Sequence, residues 1–401
     1  MNVLLLMPKI LFDTWPVGNN ALGRISNGPA ATLPVLAAAL GECRCTVFDG
    51  LNERISLGDY RNLLRGYDLI GISVVSPLTA LDTEITVKLI KRVNPQALIV
   101  LGGHHATAYD VEWVEKGADV VVREEGEVTF PELVDAVESG RDLSGIAGIT
   151  YRSGDEIKRN PDRTFLPDLD LSPMPDWSLM DLGKYNLHLT ASGGPTAVVE
   201  TARGCSHGCS FCSASTMWRH TQRFKSLPRL MEELRYLKSL GVRQVAFADD
   251  NFGGDAEQAT EVFEAVLRED LRFAFWSFFR ADTADKHPDL VALAAKAGLR
   301  SVYVGFEHLT PRINESYRKG FGETNSYERF RRVYETFRKN GIMVYGLFVH
   351  NYRFETREER LDAHKCRTIC DLSSPKKFTP MRGVAALDEL GAEGMGFKDT
   401  F

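Results

Sequence analysis

The chain has 401 residues, 44% of them hydrophobic and 25% charged, with a formal charge of −6; this is enough chain for two domains with separate cores, and too apolar for a disordered one. The mild acidity gives no reason to expect a nucleic-acid partner, and the lack of any apolar run of eighteen residues leaves no candidate for a membrane-spanning helix. The apolar opening MNVLLLMP has neither a basic n-region nor a small-residue cleavage site, so it reads as a buried first strand rather than a signal peptide, with a cytoplasmic location.

Strands are expected at 3–8, 45–50, 68–75, 97–103 and 119–125, with helices at 32–40, 81–92, near 109–117 and from about Thr129. Continuous apolar strands separated by helices indicate a parallel sheet covered on both faces, a doubly wound α/β domain over 1–145 whose ligands sit at the strands' carboxyl ends. Residues 146–195 combine a hairpin-like stretch, GITYRSGDEIKRN, with FLPDLDLSPMPDW. Proline removes donors and disfavours helix before it, so this segment reads as a linker lying along both domains.

A second β/α alternation fills 196–385, with a tail at 386–401. Strands are expected at AVVETARG, 242–250, 273–282, 301–308, 342–350 and 377–382, and helices at 227–240, 255–268, 288–297, 325–340 and 357–371. Six such units with no Rossmann glycine fingerprint suggest a partial (β/α)6 TIM-like barrel.

The seven cysteines stand at 43, 45, 205, 209, 212, 366 and 370, an odd number that argues against a disulfide framework. Three of them fall in ETARGCSHGCSFCS, spaced Cys-x3-Cys-x2-Cys in a loop after a strand, where barrel enzymes place their chemistry. Cys205, Cys209 and Cys212 could hold an iron–sulfur cluster with one iron left open. The rivals are structural zinc, which wants a fourth ligand such as His207, and cysteines that merely pack a core. Cys43 and Cys45 read as structural. Cys366 and Cys370 fall i, i+4 on one helical face near His364, as a buried pair or a redox pair.

The cysteine spacing, with Phe211 before the third cysteine, resembles the radical S-adenosylmethionine (AdoMet) superfamily across 196–385. The resemblance implies a [4Fe–4S] cluster whose open iron chelates AdoMet, one-electron cleavage to a 5′-deoxyadenosyl radical, and an external electron donor such as flavodoxin or ferredoxin. Phe211 would pack near the adenine. Asp249 and Asp250, in FADDNF, would face the methionine amine or cap the next helix. Arg280, in FFRAD, would pair with the AdoMet carboxylate or with a surface anion, and Glu307, in GFEH, would reach the amine or ribose. GLFVHNYRFET resembles the family's GxPGET segment, with His350, Asn351, Tyr352 and Arg353 in place of small residues; Tyr352 and His350 are candidate donors of a proton or hydrogen atom, or packing residues. FTPMRG resembles the sixth strand's TPxPGT.

The first domain resembles the cobalamin-binding branch of that superfamily. LGGHHAT is similar to its GGxHAT loop, and ISVVSPLTA and REEGE also fit. Gly102 and Gly103 would let backbone approach a corrin, while Ser73, Ser76 and Thr79 would offer hydroxyls to its amides. The Asp-x-His-x-x-Gly sequence that supplies an axial histidine is missing, so His104 and His105 are loop candidates rather than cobalt ligands. The implied activity is cobalamin-dependent methylation of an unactivated carbon, with methylcobalamin between the domains. The alternatives are a dehydratase, epimerase or cyclase that does not use cobalamin, and a non-catalytic iron–sulfur or corrinoid carrier. About twenty residues follow the sixth strand, which favours a small or medium metabolite as substrate over a peptide.

Overall fold

The computed structural model describes the chain except residues 9–27, 42–43, 54, 186–192, 321–325, 351–354, 378–381, 383 and 386–401. Two units emerge, Met1–Tyr185 and Asn186–Met395.

The first unit is built on strands β1 (Asn2–Met7), β2 (Arg44–Asp49), β3 (Leu69–Ser73), β4 (Leu98–Gly102), β5 (Val120–Val122), β6 (Ile149–Ser153) and β7 (Glu156–Arg159). Their order is β2-β1-β3-β4-β5-β6-β7; the first five are parallel and the last two antiparallel. Alternate residues of each strand feed two separate cores. Leu4, Leu6, Ile70, Ile72, Ile99 and Leu101 pack with Tyr60, Val87 and Trp113, whereas Val3, Leu5, Met7, Leu69 and Val100 pack with Leu33, Phe130 and Leu133. Covering on both faces is why these strands are continuously apolar. The strand order turns back between β1 and β3, which in a doubly wound sheet opens a crevice at the carboxyl ends of those strands.

Helix expectations shift: the one expected from about Thr129 starts at Gly126, and an unexpected helix spans Leu57–Leu63. The helix expected from Leu81 starts at Pro77, a residue suited to a first helical position because it has no N–H to leave unpaired. The helix expected near 109–117 is two short ones, His104–Ala108 and Asp110–Glu115.

The segment read as a linker from 146 is bound to the first sheet as far as Tyr185. Arg123, whose side chain is 2% exposed, donates to Thr150 Oγ1 (2.6 Å), to the Asn160 carbonyl (2.6 Å) and to Asp162. Glu125 accepts from Leu166 N at 2.6 Å, and the Tyr185 hydroxyl donates to Asp49 at 2.9 Å. A single chain offers no periodic signal for such polar stitching, so proline content alone made the segment look loose.

The second unit carries β8 (Thr196–Val199), β9 (Ala202–Gly204), β10 (Gln222–Phe224), β11 (Gln244–Phe247), β12 (Ala274–Arg280), β13 (Leu299–Glu307), β14 (Met343–His350) and β15 (Leu372–Lys377). Six of these form a parallel sheet in the order β15-β14-β13-β12-β11-β8; β9 and β10 make a separate antiparallel ribbon. Helices Leu227–Ser239, Ala256–Arg268, Pro288–Ala297 and Ser326–Lys339 connect the strands. Phe275 and Phe279 contact Phe263 and Phe337 on these helices, so the alternate residues Trp276, Phe278 and Arg280 lie on the opposite face of β12.

The last strand lies five residues before the expected 377–382. Its sequence, LSSPKK, is polar and contains proline, which a strand tolerates at a sheet edge. The helix expected over 357–371 ends at Asp362 and continues as a tighter turn, Ala363–Thr368. Cys370 therefore lies beyond the helix, not on a shared face with Cys366; its Sγ donates to the Cys366 carbonyl at 3.0 Å, and burial pushes its thiol up to about 12. Cys43 and the tail fall outside the described residues, and no described helix is long and apolar enough to cross a membrane.

Arg123→Met leaves the Thr150 hydroxyl, the Asn160 carbonyl and Asp162 without this partner. It is expected to destabilise the first unit by about 3 kcal/mol, as for removal of one member of a buried charged pair, measured by urea denaturation.

Candidate active site

The cysteine loop is anchored before it begins. After β8 the chain crosses Glu200 and Thr201 into β9, and Asp249, just past β11, holds that crossing: Thr201 N donates to Asp249 Oδ1 at 2.7 Å and the Thr201 hydroxyl bonds Oδ2. Burial raises the Asp249 carboxyl to about 7, against the lowering by these bonds and by the Ala202 amide. At Gly204 (φ +92°) a Cβ would sit 2.3 Å from the Thr221 carbonyl and 2.9 Å from Trp218 Cβ, so only glycine turns the chain into the loop. Asp249 thus faces the loop's own backbone, not open space for the methionine amine. Asp250 beside it keeps exposed surface, but it accepts from the Gly204 amide and the Trp218 side chain, and burial of its carboxyl raises it to about 6.

Burial pushes the thiols of Cys205 and Cys212 above their usual value; the His207 amide opposes this at Cys205, as do the Ser215 and Ala214 amides at Cys212. Each also feels the Cys209 thiol, so the three sulfurs are neighbours. They are not tightly convergent. Among the described residues, the three ligand atoms that come within 4.8 Å of one another belong to His308, His350 and Glu355, not to the cysteines or His207.

Phe211 packs edge-on against Tyr317, ring centroids 5.2 Å apart, and the Lys319 ammonium stands 5.9 Å from the Phe211 ring centroid. Lys319 Nζ donates to Glu307 Oε1 at 2.6 Å, both side chains 7% exposed. Glu307 has φ 61° at a register shift in the β13–β14 pairing. That conformation is uncommon for a residue with a Cβ and is concentrated at functional sites. Two residues earlier, a Cβ on Gly305 would lie 2.5 Å from Glu307 Oε1 and 2.9 Å from Lys319 Nζ, which explains the Gly-x-Glu spacing. Arg280 donates through Nε to Asp282 Oδ1 (2.9 Å), through Nη2 to the Lys319 carbonyl (2.6 Å) and through Nη1 to Cys209 Sγ (3.6 Å). The fork expected to clamp the AdoMet carboxylate is engaged with Asp282 and the cysteine loop.

Lys319 and Tyr317 were not singled out in the sequence. They sit in SYRKGFGET, a polar glycine-containing stretch that reads as connection, and only the fold brings them to Phe211.

His350 ends β14, and its Nδ1 is 3.5 Å from Glu355 Oε2; His308 Nε2 is 3.7 Å from Glu355 Oε1. Two imidazoles and a carboxylate are a metal-ligating set, but Thr310 N donates to His308 Nδ1 at 3.0 Å. That bond leaves the neutral ring's proton on Nε2, so the atom facing Glu355 is a donor and not a lone pair. Burial lowers the His308 pKa from its usual value, while Glu355 opposes the shift. Tyr352, Asn351 and Arg353 lie outside the described residues.

In the first unit the candidate cobalamin residues gather at the carboxyl ends of β3 and β4. Ser73 Oγ is buried with no partner among the described residues, and Ser76 caps no amide with its side chain. Thr79 is withdrawn: it is 4% exposed, and its hydroxyl donates to the Ser76 carbonyl at 3.0 Å. Gly103 (φ +96°) would place a Cβ 2.9 Å from the Val74 carbonyl, whereas a Cβ on Gly102 would meet nothing closer than 3.6 Å. Gly103 is required by the chain itself, whereas at Gly102 a Cβ would make only ordinary contact with the Val122 carbonyl. His104 is half-buried at the start of its helix. His105 is core: its Nδ1 accepts from Trp113 Nε1 at 3.2 Å, and burial lowers its pKa to about 4. The orphaned Ser73 hydroxyl fits a bulky amide-bearing ligand.

Residues 199–366 match the family model described as the radical SAM superfamily, and residues 35–134 match the B12 binding domain model. Together with a relative 32% identical along most of its length, these matches place the chain in the radical SAM superfamily, in the branch with a B12-binding domain. It is an enzyme of the cobalamin-dependent radical SAM methyltransferase family, with a [4Fe–4S] cluster, AdoMet and cobalamin as cofactors. That relative is an uncharacterized methyltransferase of Pyrococcus horikoshii, aligned over 368 residues, 90% of this chain and 76% of the other. The anaerobic magnesium-protoporphyrin IX monomethyl ester cyclase of Synechocystis sp. is 26% identical over 328 residues, 79% of this chain and 64% of the cyclase. The solved structure of the methyltransferase TsrM from Kitasatospora setae, with cobalamin and [4Fe–4S] cluster bound, superposes with a TM-score of 0.74, covering 98% of this chain and 79% of that one at 19% identity, a likeness of fold.

Because burial raises the Asp249 carboxyl in the folded protein, the fold favours its neutral form; this contribution is complete below the ordinary 3.8 and is lost as pH rises to about 7. Asp249→Asn keeps an acceptor for Thr201 N and offers its amide to the hydroxyl without titrating. Denaturation of the two proteins between those pH values should show the variant gaining stability relative to wild type as pH rises.

Proposed function

We propose that Cys205, Cys209 and Cys212 ligate the cluster and leave one iron for AdoMet, and that the enzyme methylates an unactivated carbon of a small or medium metabolite. The observation that carries this reading is three neighbouring thiols, one of them accepting from Arg280, in the loop after the first strand of an open parallel barrel. When bound, the cluster supplies an electron that cleaves AdoMet to a 5′-deoxyadenosyl radical, and cobalamin supplies the methyl group.

The chain's own residues then have separable tasks. Phe211, backed by Tyr317, offers a flat apolar face for the adenine. The Glu307–Lys319 pair, rigid because it is buried and held in an unusual backbone conformation, presents polar atoms to the ribose or amine. Asp249 fixes the path of the loop, and Asp250, which accepts from the Gly204 amide and the Trp218 side chain, lies beside it where its remaining lone pairs would face the methionine ammonium. His350, flanked by Glu355, is the described residue best placed at the end of β14 to hold or move a proton, and Tyr352 is its neighbour in sequence. Ser73, Ser76, Gly102, Gly103 and His104 form the corrin-facing edge, with Thr79 supporting Ser76. Electrons come from an external donor such as flavodoxin or ferredoxin.

Each of Cys205→Ala, Cys209→Ala and Cys212→Ala should abolish cluster assembly, read as loss of iron and of the cluster's visible absorbance after anaerobic reconstitution. With substrate, the intact enzyme should release S-adenosylhomocysteine and 5′-deoxyadenosine in about equal amounts, two AdoMet per methylated product, quantified by mass. Full turnover with 5′-deoxyadenosine alone would discard methyl transfer and leave radical chemistry of another outcome, the kind the cyclase relative's name describes.

A further inference from the structure

Arg280 is the last residue of β12, and its side chain is 7% exposed. Nε is fixed by Asp282 at 2.9 Å and Nη2 by the Lys319 carbonyl at 2.6 Å. Two bonds in different directions fix the guanidinium plane, so Nη1 reaches Cys209 Sγ at 3.6 Å without freedom to turn elsewhere. The cations nearest the loop are paired: Arg280 with Asp282, which Lys286 also approaches at 3.9 Å, and Lys319 with Glu307. The contact at Cys209 is therefore a directed hydrogen bond to one sulfur rather than a diffuse positive field.

We infer that Arg280 is a positioning residue for the cluster: it holds Cys209 and raises the cluster's reduction potential by donating to that sulfur, rather than clamping the AdoMet carboxylate. The inference rests on Cys209 being a cluster ligand. A thiolate ligand carries more negative charge when the cluster is reduced, so a donor aimed at it stabilises the reduced state more than the oxidised one. Hydrogen bonds to the sulfurs are among the factors that set such potentials, and groups outside the ligand set orient the ligands themselves. Asp282 acts one step further out: it orients the guanidinium and offsets its charge. The effect is of use to an enzyme that must accept an electron from an external donor before it can act.

The test uses the full chain, reconstituted anaerobically, as wild type, Arg280→Gln and Arg280→Lys. Midpoints are read by EPR-monitored redox titration, alongside iron content and the AdoMet dissociation constant. Arg280→Gln should keep its iron and its AdoMet affinity while the ratio of reduced to oxidised cluster at a fixed potential falls about tenfold, ~59 mV for one electron. Arg280→Lys, which keeps the charge but not the fork, should fall between. An unchanged midpoint with full iron overturns the inference. Weakened AdoMet binding at an unshifted midpoint overturns it too and returns Arg280 to the carboxylate. Failure of both variants to take up iron replaces tuning with an assembly role. Wild type that shows no reduced-cluster signal defeats the cluster reading itself, a result distinct from the other three.

Discussion

The second unit depends on four charged side chains sharing one water-poor space beside the cysteine loop. Arg280 with Asp282, and Lys319 with Glu307, are two ion pairs buried to within a few per cent of full enclosure. A buried pair contributes little net stability over apolar packing, yet removing one partner strands a charge at a cost of about 3–5 kcal/mol. The arrangement therefore fixes position more than it strengthens the fold. It ties the end of β12, the bulge of β13 and the 316–319 turn to Cys209 and Phe211. The conformation of Glu307, with its positive φ, and the glycine at 305 follow from the same need, because the carboxylate must reach Lys319 across space a Cβ would fill.

The metal-binding part of the site was legible because it is local. Eight consecutive residues carry three thiols and the aromatic beside them, and no tertiary arrangement is needed to see a cluster there. The strand-end residues were only half legible. Glycine at 305 and glutamate at 307 were visible as a motif, but the partner of the glutamate, Lys319, stands twelve residues on in a stretch with no periodic pattern. Asp249 and Arg280 were found as residues, but the neighbours the structure gives them, Thr201 and Asp282, were not. Sequence places a charge at the end of a strand but does not say whether it turns toward a ligand or back to the loop. In both cases an internal partner is within reach: Thr201 for Asp249, Asp282 for Arg280.

The first unit shows the same division between pattern and partner. Its sheet could be read from apolar runs because both faces are covered, and the two cores separate residue by residue along β1 and β4. What pattern could not show is that REEGE, noted as part of a loop resemblance, also does structural work. Arg123 and Glu125 fasten the following forty residues to the sheet by hydrogen bonds to backbone carbonyls and amides, which are identical in every sequence and so leave no trace in one. Tandem histidines posed a similar problem: His104 and His105 are indistinguishable as letters. About 100° of rotation around the helix separates them, sending the second under Trp113 and Tyr109 and leaving the first partly exposed.

The tautomer of His308 carries this reasoning to its end. Distances alone make His308, His350 and Glu355 a ligand set. One backbone amide weakens it, because Thr310 N–H takes the lone pair of Nδ1 and leaves Nε2 protonated toward Glu355. In the proposed reading the cysteines are the metal site, because a cluster brings its own sulfide and iron between neighbouring thiols. The number of thiols, their burial and the donor at Cys209 are the relevant quantities there.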